Sequence, residues 1–136
     1  MPNTYDKLSV GDSFSLTRTI TREEVRTFAD LTGDDNPLHV DPEYAQTTRF
    51  GKPIVHGVLL LAVFSKILGH DFPGHGTIAV SLSSRFLRPA PVGAEIEFRV
   101  QVTEKIEQRK QVKARVRAYH ENKIILGGEA VMIPPS

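Results

Sequence analysis

The sequence contains no cysteine and no tryptophan. The missing cysteine excludes a disulfide scaffold, a thiolate zinc site, an iron–sulfur cluster and a cysteine nucleophile. A surplus of charge is also missing: 17 Lys and Arg oppose 16 Asp and Glu, for a formal net charge of +1. That balance is not the footprint of a nucleic-acid binder. No apolar run reaches the ~20 residues that a membrane-spanning helix needs. The most apolar stretch, Val58–Leu68, stops at Gly69. The first residues carry no basic segment followed by an apolar one, and the last carry no lipidation box or targeting tripeptide. The expectation is a cytoplasmic protein that binds neither nucleic acid nor membrane.

What is present suits a folded chain. It has 136 residues, 40% hydrophobic and 24% charged, which predicts one domain over residues 1–136 with a core large enough to need no metal or disulfide. Phe14, Leu16 and Ile20 predict a strand over Ser13–Ile20. Thr21-Arg22-Glu23-Glu24 is a capping-box signature. Val25, Phe28, Ala29 and Thr32 follow at helical spacing and Gly33 supplies a stop, so a helix is expected over Arg22–Thr32. Gly33–Pro53 is polar and irregular, with Asp41-Pro42 marking one short helical turn. Val58–Leu68 is apolar on almost every face, the pattern of a buried core helix. Beyond it, alternating residues predict four strands: Ile78 to Phe86, Ile96 to Val102, Val112 to Ala118, and Ile124–Ile133 with a break at Gly127-Gly128. Polar partners on the second and third of these give the sheet one wet face, and short loops suggest an antiparallel meander. The fold class is α+β, an antiparallel sheet wrapped around the apolar central helix.

Two places carry chemistry. Asp34, Asn36 and His39 lie within one bent loop. An aspartate and a histidine so placed can share a water as general acid and base, and the carboxylate can orient the imidazole. Asp and Asn are also ordinary turn formers, so a plain capping loop stands beside that reading. The second place is His56-Gly57, at the start of the apolar helix. A helix start presents unpaired N–H groups, and a glycine there admits a ligand close to the backbone. Such a site can stabilise an oxygen that gains negative charge; the bland alternative is that Gly57 only shapes a turn. His70, His75 and His120 read as turn or strand-end residues. Asp34, His39, Asp41 and His56 could offer metal ligands, but no ligand pair sits on a regular element, and no metal is expected. Neither a Gly-rich phosphate loop nor a G-x-S-x-G elbow occurs.

Gly33-Asp34-Asp35-Asn36-Pro37-Leu38-His39-Val40-Asp41, followed by Phe50-Gly51-Lys52-Pro53-Ile54-Val55-His56-Gly57, closely resembles the R-specific enoyl-CoA hydratase, or MaoC-like dehydratase, family. Arg85–Gly93 resembles the family's strand and turn after the central helix, with Phe86-Leu87-Arg88-Pro89 the looser part of the match. The resemblance spans nearly the whole chain. It implies a hot-dog fold, a homodimer, and reversible syn hydration of trans-2-enoyl thioesters to (R)-3-hydroxyacyl thioesters. On the matching positions it implies Asp34 and His39 as the catalytic pair and Gly57 as the N–H donor to the thioester carbonyl. It matches Asn36 to a motif asparagine and Ser65 to a serine near the active-site loop; His56 is expected to support that loop or the substrate. No separate cofactor is implied, since CoA or the pantetheine of an acyl carrier protein is part of the substrate. A hot-dog thioesterase and a non-catalytic acyl-thioester binding module are the alternatives. The absence of Asp and Glu from Val58–Leu68 weighs against the first, and the presence of Asp34 and His39 against the second.

Overall fold

The computed structural model describes residues 2–136. Strand β1 (Ser13–Thr19) turns Phe14 and Leu16 towards the core and its hydroxyl residues outward. Thr21 then caps α1 (Arg22–Thr32): its hydroxyl accepts from the Glu24 N–H, and the Glu24 carboxylate accepts from the Thr21 N–H. Arg18 of β1 pairs with the same carboxylate. Gly33, at φ 81°, ends the helix with its N–H on the Ala29 carbonyl. Both ends of α1 are where local capping chemistry predicts them, and Val25 and Ala29 bury its inner face.

The polar segment holds two short helices rather than the one expected turn. Asp41 caps α3 (Pro42–Gln46), accepting from the Glu43 and Tyr44 N–H groups. Asn36 does the same for α2 (Pro37–Val40), accepting from Leu38 N–H, with Pro37 in the first helical position. The device is repeated: a side-chain acceptor, then a proline whose missing N–H is no loss there.

Helix α4 (Gly57–Lys66) continues into a π turn over Ile67–Asp71. Leu60, Val63, Phe64, Ile67 and Leu68 are buried against the sheet. The expectation of burial on every face is corrected: Val58, Ala62 and Ser65 lie on an open face, with Val58 57% exposed. One sheet covers only one side of a helix.

That sheet is antiparallel, in the order β1-β3-β4-β5-β2. The expected four-strand meander is corrected to three strands, β3 (Glu95–Ile106), β4 (Gln111–His120) and β5 (Lys123–Ile133): across the short Pro89–Ala94 loop β3 does not pair with the strand before it, because β1 holds that edge. Strand β2 (Ile78–Phe86) pairs with β5, at the far edge. Inner residues oppose one another across the ladder, large against small where Phe98 faces Ala118. The Phe64 ring meets Phe98 edge-on at 5.3 Å; truncating so buried a ring to alanine typically costs about 3–5 kcal/mol. A bulge between Ala79 and Ser81 breaks the expected alternation of β2 and leaves Ile78 and Val80 exposed. Gly128 lets β2 approach β5, because a Cβ there would lie 1.9 Å from the Ser83 carbonyl oxygen. The sheet wrapped over α4 is the α+β hot-dog arrangement. Among the described residues no helix is long and apolar enough to cross a membrane.

Candidate active site

Three elements bring the site together. Asp34 follows the glycine stop of α1, His39 lies on α2, and His56 and Gly57 begin α4. One ligand-type atom from each of Asp34, His39 and His56 falls within 4.8 Å of the others. Twenty-two residues of chain separate Asp34 from His56, so only the fold makes this cluster.

Hydrogen bonds set both imidazole tautomers. His39 Nδ1 lies 2.6 Å from the Ile54 carbonyl oxygen. A carbonyl only accepts, so Nδ1 carries the proton and Nε2 keeps its lone pair. His56 Nε2 lies 3.0 Å from the Asp34 carbonyl oxygen and 4.0 Å from the Asp34 carboxylate; by the same logic Nε2 carries its proton. The rings of His39 and His56 stack with centroids 4.0 Å apart.

Gly57 heads α4, so its N–H is among those without an intrahelical acceptor. Gly57 and His39 both border a cavity of about 360 Å³, together with Val58, Leu60, Phe86 and Arg88. The first residue of α4, His39 and an apolar wall thus border one space. The Asp34 side chain is half exposed and does not line this cavity; it meets the site through its approach to the two histidines.

Asn36 does not turn to the cavity; its oxygen caps α2 and so shapes the backbone that presents His39. Ser65 is not brought to the group. It lies on the open face of α4, eight residues beyond Gly57, and a rise of 1.5 Å per residue separates their backbones by about 12 Å. His56 does not border the cavity; its ring meets the Asp34 carbonyl of the loop. The Ile54 carbonyl and Phe86 were not anticipated. The first is a backbone group with no sequence signal, and the second reads as core from its alternation. Asp34, His39 and His56 also form a donor set for a metal ion. Each histidine already commits one ring nitrogen to a carbonyl.

A MaoC like domain matches residues 9–124. The chain belongs to this family. Similar proteins cover nearly all of this MaoC-like domain. A protein of Aeromonas caviae named (R)-specific enoyl-CoA hydratase is 40% identical over 94% of this chain and 96% of its own. One of the same name from Rhodospirillum rubrum is 36% identical over 97% of this chain and 92% of its own. Among solved structures, the (R)-hydratase from A. caviae superposes with a TM-score of 0.92 at 40% identity, covering 94% of this chain and 98% of that one. An R-hydratase from Pseudomonas aeruginosa superposes at 0.95 with 33% identity, covering 99% and 87%.

Proposed function

We propose that this MaoC-like chain is an (R)-specific enoyl-CoA hydratase, a hydro-lyase that adds water reversibly to trans-2-enoyl thioesters. The observation that carries this reading is the approach of Asp34 to a His39 whose Nδ1 is tied to the Ile54 carbonyl, beside a cavity headed by the Gly57 N–H.

Water sits between the Asp34 carboxylate and His39 Nε2. The pair takes a proton from it as its oxygen bonds to C3. The C2=C3 electron pair moves towards the thioester oxygen, which accepts a hydrogen bond from Gly57 N–H as its charge grows. The proton then returns to C2 from the same pair, on the face that water attacked, and the product is an (R)-3-hydroxyacyl thioester. Substrate is CoA-bound, or bound to a carrier protein through the same pantetheine; no other cofactor takes part.

The working unit is a homodimer. Val58 on α4 and Ile78, Val80, Phe86 and Leu87 along and just after the edge strand β2 leave apolar surface and unpaired backbone that a two-fold copy would cover.

Crotonyl-CoA tests the assignment, with enoyl absorbance and free thiol followed in parallel. Loss of absorbance without thiol release supports a hydratase. Thiol release makes the chain a thioesterase, and binding with neither signal makes it a binding module.

A further inference from the structure

We infer that His56 is the positioning residue of this site, holding Asp34, His39 and the Gly57 N–H in one fixed relation. The inference rests on the hydratase reading and names a residue that acts through the other three. His56 is 2% exposed, the one fully buried polar side chain among the described residues. It directly precedes Gly57 at the N-terminus of α4, yet its side chain makes no capping bond to that helix. Its ring instead reaches across the site. The Nε2–H holds the Asp34 carbonyl at 3.0 Å, which pins the backbone from which the catalytic carboxylate hangs. One ring face stacks on His39 with centroids 4.0 Å apart and planes at 27°, and Phe28 of α1 closes on the ring at 4.8 Å. A single imidazole is thus bonded to one member of the catalytic pair, stacked on the other, and joined through the chain to the N–H donor.

The second ring nitrogen separates this role from plain packing. Nδ1 is buried and has no hydrogen-bond partner. An unpartnered buried acceptor lowers stability. Phenylalanine would bury no bare lone pair, but its ring is larger and cannot donate to the Asp34 carbonyl. What the imidazole supplies and an apolar ring cannot is the Nε2–H bond to Asp34.

The test compares His56→Phe with His56→Gln in the full chain, by kcat, KM and thermal melts on crotonyl-CoA. His56→Phe should remain folded and lose about 10²-fold in kcat, the scale of a roughly 1 Å misplacement, with KM little changed. His56→Gln places an amide N–H where Nε2–H was and should retain more kcat than His56→Phe, although it loses the ring. Wild-type kcat in His56→Phe overturns the inference, as does a His56→Gln no faster than His56→Phe. Long-range ¹⁵N–¹H spectra of the wild-type imidazoles give a readout independent of turnover. The expected tautomers are Nε2–H for His56 and Nδ1–H for His39; an Nδ1–H tautomer at His56 overturns the inference even where a variant fails to fold. Failure of the hydratase reading shows differently, as wild-type protein that leaves crotonyl-CoA unchanged.

Discussion

A Cβ on Gly57 would lie 2.7 Å from both Cδ1 and Cε1 of Phe86. The last residue of β2 therefore rests its ring on the first residue of α4, at the wall of the cavity. Gly57 is helical and is not among the glycines with positive φ. The demand for glycine is one of space and not of left-handed backbone. In Gly57→Ala the half-exposed Phe86 ring must swing aside, and either it or the new methyl crowds a thioester carbonyl. We expect kcat/KM to fall by no more than about 10²–10³-fold, the scale of one lost oxyanion donor. Far-ultraviolet circular dichroism should barely change, because alanine favours helix. Adding Phe86→Ala should restore part of the loss. Unchanged kinetics in a folded Gly57→Ala protein would remove Gly57 from the mechanism.

Asp34→Asn and His39→Gln should each lose about 10²–10⁴-fold in hydratase rate, the usual worth of a positioned acid or base. Neither side chain is in the buried core, so melting temperatures should stay close to wild type. Near-normal turnover in either variant contradicts the assigned roles.

Sedimentation equilibrium at micromolar concentration should give a mass of two chains. Val80→Lys, on the exposed edge strand, should shift the equilibrium towards one chain without unfolding it, since a charged edge disfavours strand pairing. A wild-type protein that sediments as a stable monomer would sink the dimer.

Gly128→Ala should destabilise the fold far more than any variant of the site. The clash is with the Ser83 carbonyl, with the Ser84 Cα at 2.8 Å behind it, and neither moves without displacing β2. Overpacking commonly costs about 1–3 kcal/mol, and a backbone collision belongs at or above the top of that range. The urea midpoint measures it.

The capping box gives a pH dependence. The hydrogen bond from the Thr21 N–H, and then the Arg18 charge, hold the Glu24 carboxyl below its ordinary value. A depressed acid stabilises the fold fully above the unfolded value, ~4.3 for glutamate, and the contribution fades as pH falls through the folded value. Its side chain is over one-third exposed, so solvent screening keeps the effect small. Wild type should therefore melt above Glu24→Gln near neutral pH, and the gap should narrow as pH falls below about 4.3. A gap that did not narrow as pH fell below that value would contradict this.

Local rules carried much of the structure. Thr21, Glu24 and Gly33 determine α1 because caps and stops act within a few residues. Strict alternation determines β3 and β4 because both are central strands with one dry face. Gly33–Asp41 and Phe50–Gly57, read as motifs, indicated the family and the groups to inspect. The alternation failed at β2, an edge strand with a bulge, where Ile78 and Val80 could face outward without opening the core. It could not show that Val58 and Ser65 lie on an uncovered face of α4, since an all-apolar helix carries no mark of which side meets its sheet. Nor could spacing along the chain show the Ile54 carbonyl on His39, His56 beneath Asp34, or Phe86 on Gly57. Those contacts join residues far apart in sequence. They exist only once the sheet has closed on α4 and brought the ends of three helices together, because hydrogen bonds and ring packing act over a few ångströms of space and take no account of chain order.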